Sequence, residues 1–447
     1  MKIKSTTIFN PKQVIIKETV RPISPFGGIF LVLEFFRKIN LAGKLSDAFP
    51  FEYTSPNAIN ASQTFTYFLL TVLCGAKRFA HTLMMKADDS LRIMTGMDRF
   101  PNDDTIRNMF KNFGMKENYE FFTNIWSWLL ERIGQVPGGL TMDLDSTVFV
   151  RYGKQEGSKR GYNPKKRGRC SHHPIIAVLS EANFILNGWL RSGNTGSSSG
   201  IVEFMKESLF LCKKLMIRTI RADSGFFCDK LMAFLESENL KYIIAARMTK
   251  HVKNICYGIK NWKEVDEIYS VGELKVALWG WEKPRRFIVV REHIQESKES
   301  MGKYLLYVPG YTFRVFATNS ACSPVEIWRD YNLRGNMENV IKELKLDLSA
   351  DTFCMKQFFP TEAVFKSILL LYNLMVEFRK ASEIKEYNQC STLRNHILLC
   401  GAIAGSAGHN IVIYLSKAWG GLGKRIPLFN NILNYDFSTS PKLICSS

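Results

Sequence analysis

The hydrophobic pattern changes character at Pro137-Gly138-Gly139. Before that point apolar residues recur at helical spacing. Ile29–Phe36, Asn60–Leu73 and Tyr119–Ile133 read as apolar helices, with Pro25-Phe26-Gly27-Gly28 as a loop ahead of the first. Asp103 or Asp104 is placed to cap a short helix running to Phe113. Residues 1–135 therefore read as a helical region. One reading is a plain bundle with turns; the other is a helix-turn-helix-like module that touches DNA.

Beyond the glycines the period shortens to two. Leu140–Arg151 alternates and is rich in β-formers, which predicts a strand. After a basic loop, Pro174–Glu181 and Ile185–Arg191 predict a hairpin around Ala182-Asn183. The Ser/Gly stretch at 193–200 leads into a helix whose Val202, Met205, Leu209 and Cys212 share a face. A strand (Met216–Ala222), a helix (Asp229–Glu238) and a strand (Tyr242–Arg247) follow. The order β-β-β-α-β-α-β predicts an α/β layer fold with a mixed sheet.

Residues 249–320 break this rhythm. Leu274–Leu278, Arg286–Arg291, Tyr304–Val308 and Phe313–Thr318 read as short strands of a β-rich insertion. Pro324 then opens a long helix, and Val364–Phe378 is a further apolar helix. The tail reads as a helix near Thr392–Ile403 and a Gly-rich loop at Gly420–Gly423. The expected division is 1–135 (helical, DNA-binding), 136–248 (core, first part), 249–320 (insertion), 321–380 (core, second part) and 381–447 (DNA contact or dimerisation).

Composition adds one strong constraint. Hydrophobic residues are 46% and charged residues 23% of 447, so the chain can bury a core. Sixty Lys and Arg stand against 41 Asp and Glu, a formal net charge of +19. That excess favours a polyanionic partner, either nucleic acid or an anionic membrane surface. The apolar stretches around Phe65–Cys74 and Ile368–Val376 fall short of a membrane span, and Asn10-Pro11 interrupts any secretory h-region. The ten cysteines form no C-x-x-C pair and no zinc spacing, so they read as reduced thiols in a cytosol.

The candidate chemistry lies in acids at unusual places. Asp143 and Asp145 sit two apart on the first predicted strand, hence on one face, where Asp is disfavoured. Asp223 ends the fourth strand, where open α/β sheets carry ligand groups; a turn or helix cap is the plain alternative. In the helix after Pro324, Tyr331, Arg334, Glu338, Lys342 and Lys345 form one polar stripe beside an apolar stripe of Leu333, Met337, Val340, Leu344 and Leu348. By itself that stripe reads as well as a solvated face with i,i+4 ion pairs. Residues 151–169 carry eight Lys or Arg, including Lys165, Lys166, Arg167 and Arg169, against Glu156 alone, and read as phosphate contacts. Trp279 and Trp281 read as a core pair, with base contact as the alternative. His172 and His173 lack a partner cluster and read as structural.

Taken together, a first-strand Asp, a fourth-strand Asp and a later helical Glu resemble the RNase H-like nucleotidyl transferases. Gly161-Tyr162-Asn163-Pro164-Lys165-Lys166-Arg167-Gly168-Arg169, His173-Pro174 and Leu186 to Thr195 resemble bacterial insertion-sequence DDE transposases. So do Arg221-Ala222-Asp223-Ser224-Gly225 and the Tyr-x2-Arg-x3-Glu-x6-Lys array at Tyr331, Arg334, Glu338 and Lys345, which is typical of the IS-four superfamily. The resemblance implies an RNase H-like core with a β-rich insertion. It implies Asp145, Asp223 and Glu338 as the catalytic, metal-holding acids, with Asp143 as the alternative first acid or a helper. It implies Mg²⁺ or Mn²⁺, two ions, with DNA cleavage at terminal inverted repeats and strand transfer into target DNA. A homodimer on DNA, no membrane, and a cytoplasmic, nucleoid-associated bacterial setting go with it. Three readings compete: a metal-dependent nuclease without strand transfer, a catalytically silent DNA-binding derivative, and a metal-dependent glycosyltransferase suggested by the Asp143-x-Asp145 motif alone.

Overall fold

The computed structural model describes residues 3–6, 13–134, 136–293, 310–385 and 389–437. The longer helices that lead the main body are α1 (Phe30–Lys38), α2 (Leu41–Ala48), α3 (Ala61–Leu73), α4 (Asp103–Lys111) and α5 (Met115–Leu130), with two short helices at Thr82–Lys86 and Asp89–Thr95 between α3 and α4. The cap of α4 is Asn102, one residue before the expected aspartates. Its side-chain oxygen accepts from the Thr105 amide at 2.7 Å. Asp103 and Asp104 instead fill the first turn, where negative charge suits the helix dipole.

A mixed α/β layer follows. Its strands are β1 (Leu140–Ser146), β2 (Ile175–Leu179), β3 (Phe184–Trp189), β4 (Ile217–Ala222) and β5 (Lys241–Ala245). Helix α6 (Ile201–Leu211) joins β3 to β4, and α7 (Asp229–Ser237) joins β4 to β5. Then come α8 (Lys250–Gly258), β6 (Lys263–Glu264), β7 (Tyr269–Val276), β8 (Arg285–His293) and β9 (Tyr311–Thr318). Among the described residues these form one nine-stranded sheet in the order β6-β7-β8-β9-β5-β4-β1-β2-β3. β4 runs parallel to β1 and β5, and the other pairs are antiparallel. The strands of 263–318 thus continue the central sheet. The strand expected at Tyr304–Val308 lies outside the described residues.

The expected long helix is two helices, α9 (Pro324–Asn332) and α10 (Gly335–Leu346). Asn332 and Gly335 are poor helix formers, and the amides of Leu333 and Arg334 bond back three residues, to Asp330 and Tyr331. Leu333, at the break, is 63% exposed and leaves the apolar stripe, whereas Met337, Val340, Leu344 and Leu348 are buried.

The core is organised by α11 (Phe358–Ala381), buried along most of its length. It is apolar and long enough to cross a membrane, but 83% of its most apolar window is buried inside the protein, as befits a core helix. It lies on the edge strand β3. Gly188 allows the approach, because a Cβ there would stand 2.3 Å from Leu369. Asn373 on α11 completes the strand's ladder, accepting from the Ile185 amide and donating to its carbonyl, both at 2.8 Å. The leading helices share this core: Asn118 of α5 donates to Phe359 O, and Trp126 donates to Ile185 O. A smaller core of Ile243, Val271, Ile288, Val290, Phe316, Ile327 and Trp328 fixes α9 on the sheet.

The tail departs most from expectation. The helix expected near Thr392–Ile403 is present only in its first part: an α-helical turn at Cys390–Leu393 runs into a π-helical turn at Arg394–Leu398, and the chain then enters β10 (Ala402–Ala407), paired with β11 (Asn410–Leu415). The Gly-rich stretch opens α12 (Gly421–Asn434).

Candidate active site

Register places the strand acids. Ala222 pairs with Leu144 across the parallel β4–β1 ladder, so the next residue on each strand is Asp223 and Asp145. Two carboxylates therefore meet at the carboxyl ends of adjacent parallel strands, where such sheets present functional groups. Each is steadied by a nearby amide: Ser146 N donates to Asp145 Oδ1 at 2.7 Å and Gly225 N to Asp223 Oδ1 at 3.0 Å.

The break between α9 and α10 brings in Arg334. This residue is 7% exposed; its guanidinium donates to Leu144 O at 2.8 Å and lies 3.2 Å from Asp145 Oδ2. Burial pushes the Asp145 pKa up, Arg334 pulls it back, and the charges of Asp223 and Glu338 raise it again, leaving it at about 6. Tyr331 packs on Phe316 at 4.5 Å, and its phenol is pushed up by burial and by the nearby acids. Glu338 is exposed on α10, within electrostatic reach of Asp145. Among the described residues no three His, Cys, Asp or Glu side chains are grouped closely enough to hold a metal ion.

Asp143 faces the same side but is engaged differently. It is 1% exposed and is the direct cross-strand partner of Arg221. Arg221 grips both its oxygens, Nε to Oδ1 at 2.7 Å and a terminal nitrogen to Oδ2 at 2.8 Å. Arg221 also binds Asp330 Oδ1 at 2.9 Å and Ser180 Oγ at 2.8 Å, tying β1 and β4 to α9.

A family model described as transposase DDE domain group 1 matches residues 7–423. The chain belongs to the DDE transposases. No curated protein matches it. Among solved structures it is similar to the piggyBac transposase synaptic complex with hairpin DNA, at 12% identity and a TM-score of 0.43, over 84% of this chain and 81% of that one.

In this transposase the basic loop forms a small sheet of Phe149–Val150, Lys159–Arg160 and Cys170–His172. Lys165, Lys166, Arg167 and Arg169 are exposed on it. Arg151 is not: it is 4% exposed, with Nε bonded to His172 Nδ1 at 3.0 Å. Counting charges alone misses Tyr152 and Tyr162, which are 71% and 68% exposed among these cations. Lys166 and Arg169 lie over the Tyr152 ring at 5.1 and 5.9 Å. The interleaving of Tyr with Lys and Arg is the signal that could have found them.

Lys345 reaches the end of β1, donating to Thr147 Oγ1 at 3.2 Å and Val148 O at 3.1 Å, while Lys342 is exposed. The two tryptophans separate. Trp281 stacks on Phe287 and packs against Phe227 and Arg285, as a core residue does. Trp279 is 87% exposed. The flanking cations are partly committed, Lys283 and Arg285 to Glu236 and Arg286 to Glu273.

His172 accepts from Arg151 and shares its Nε2 with Glu156 O at 2.9 Å. Burial and the Arg151 charge push its pKa down from 6.5 to about 4. The unfolded chain therefore takes up this proton first. The stabilising contribution is complete above about pH 6.5 and is lost as pH falls toward about 4. Wild-type protein is expected to lose up to about 3 kcal/mol across that window. His172→Gln is expected to show a flatter profile in thermal melts taken at successive pH values; parallel profiles would refute this.

Proposed function

We propose that this transposase cuts DNA at the terminal inverted repeats of its element and transfers the freed ends into target DNA, using Asp145, Asp223 and Glu338. The observation that carries the reading is the meeting of Asp145 and Asp223 at the ends of adjacent parallel strands, with Glu338 in the first turn of α10, the helix that follows Arg334 at Asp145. The strand order β3-β2-β1-β4-β5 supports an RNase H-like core within the larger sheet.

The donor chemistry fits Mg²⁺ or Mn²⁺, since all three side chains offer hard oxygens. Burial first, and then the charges of Asp223 and Glu338, raise Asp145, and a divalent cation would favour its charged form. In this structure Arg334 supplies the positive charge at Asp145. Two bound ions would supply activation of the attacking hydroxyl and stabilisation of the leaving oxygen in phosphoryl transfer.

The chain's own cations and phenol do the rest. Arg334 and Lys345 are placed to take phosphate oxygens beside the acids, and Tyr331 and Lys342 extend that surface. Arg334 Nε is buried with no partner among the described residues, a donor suited to a phosphate oxygen. Lys165, Lys166, Arg167 and Arg169 hold the backbone further out. Exposed Trp279 is the candidate base contact, and Trp281 a support for its loop. Cutting two ends in concert asks for two active sites, so a homodimer on DNA is the proposed assembly, working where bacterial DNA lies, in the cytoplasm.

Purified protein should cut a duplex carrying the terminal repeats in Mg²⁺ or Mn²⁺ and leave it intact in excess chelator. Cutting that persists in chelator overturns the metal assignment. Alanine at Lys165, Lys166, Arg167 and Arg169 together should weaken binding to all DNA sequences. The slope of log affinity against log salt should become shallower by about 0.9 for each phosphate no longer neutralised. Anisotropy titrations at several salt concentrations check this, and an unchanged slope takes the loop out of the interface.

A further inference from the structure

Arg191 follows β3 and is 7% exposed, yet no carboxylate among the described residues answers its charge. Burial lowers its pKa to about 10, so it remains a cation at neutral pH. A buried guanidinium without a counter-charge is costly and calls for a use. Its partners are backbone carbonyls. Nε donates to His173 O at 3.0 Å, and one terminal nitrogen donates to Gly196 O, Ser197 O and Ser199 O at 3.2, 3.1 and 3.0 Å. His173 Nδ1 adds a bond to Thr195 O at 2.7 Å. The loop's other end is wedged at Gly193, where a Cβ would stand 2.0 Å from Ser171 O. The Ser/Gly loop is therefore held in one shape.

That shape presents Ser197 to both strand acids' neighbours. Ser197 Oγ lies 2.9 Å from Ser146 Oγ, and Ser146 N holds Asp145. On the other side Ser197 abuts Gly225, whose amide holds Asp223. A Cβ on Gly225 would stand 2.7 Å from Ser197 Oγ and 3.1 Å from Asp223 Oδ1.

We propose that Arg191 is a positioning residue which, through the 195–199 loop and the Ser197 hydroxyl, sets Asp145 and Asp223 at the spacing that binds divalent metal. The proposal rests on reading those two acids as metal ligands. A lysine at 191 keeps the charge but lacks the fork that reaches several carbonyls at once.

The test is Mn²⁺ binding to the full-length, DNA-free protein, followed by the electron paramagnetic resonance signal of the free aquo ion. Thermal melts confirm that each variant is folded. Arg191→Lys and Ser197→Ala should each weaken Mn²⁺ binding, by roughly tenfold or more for Arg191→Lys. The double variant should lose less than the product of the two, since both act along one path. If Arg191→Lys fails to fold, Ser197→Ala decides alone. Wild-type Mn²⁺ affinity in the folded variants overturns the proposal. Asp223→Asn separates the two levels. If it leaves Mn²⁺ binding unchanged, the metal reading itself fails and this inference falls with it. If it abolishes binding while Ser197→Ala does not weaken it, only the positioning role is wrong.

Discussion

Asp145→Asn and Asp223→Asn proteins are expected to bind the element's ends as wild type does, yet cut them at least roughly a thousandfold more slowly, about 4 kcal/mol of lost transition-state stabilisation. Asn matches Asp in shape, so the strand ends and the Gly225 and Ser146 amides need not move. What is removed is one negative oxygen donor from a pair set side by side by the β4–β1 register. Glu338→Gln is expected to behave alike, although Glu338 sits on an exposed helical turn where its replacement disturbs no core. Gel-shift and cleavage assays on the same duplex separate binding from cutting. If Asp145→Asn cuts at the wild-type rate while a folded Asp143→Asn does not, the first acid is Asp143.

Asp143→Ala is expected to act on stability, lowering it by about 3–5 kcal/mol, the usual cost of stranding one member of a buried ion pair. Arg221 is 1% exposed and would keep only Asp330 and Ser180 as side-chain partners. Replacing both members, as Asp143→Leu with Arg221→Met, should recover much of the loss, because no buried charge is then left unpaired. Recovery should be incomplete, since Arg221 also ties the sheet to α9 through Asp330, next to Tyr331. Denaturant midpoints measure this directly. An Asp143→Ala protein within about 1 kcal/mol of wild type would contradict the ion-pair role.

Much of the frame is legible in the sequence because local rules and tertiary packing agree. Strong periodicity marks β1, the β2–β3 hairpin, α6, β4, α7 and β5 to within a few residues at most boundaries. The strand acids stand out because Asp is a poor strand former. Separating Asp143 from Asp145 requires the register that sets Arg221 opposite Asp143, a pairing between residues 78 apart. Period two alone puts both acids on one face. The α9–α10 break is hidden for a similar reason: the stripe spacing suits a continuous helix, and only the tertiary pull of Asp145 and Leu144 O on Arg334 shows why the turn is used. In the tail, Ala-Ile-Ala-Gly-Ser-Ala is weak strand sequence, and β10 owes its form to pairing with β11 and Ile23–Ser24. Glycines at the start of α12 and Pro427 inside it disguise a helix as a loop. The Arg191 clamp gives no signal, because a lone arginine at a strand end says nothing of the carbonyls that a loop brings to it.

Joining of a pre-cut end tests the central claim most directly. A duplex carrying the terminal repeat, with a free 3′-OH at its end, is incubated with the protein, Mg²⁺ and a supercoiled plasmid. Wild-type protein should give covalent plasmid–duplex products, and the Asp145→Asn, Asp223→Asn and Glu338→Gln proteins should give none. Joined products of undiminished yield from those three variants would contradict the assignment of strand transfer to these acids.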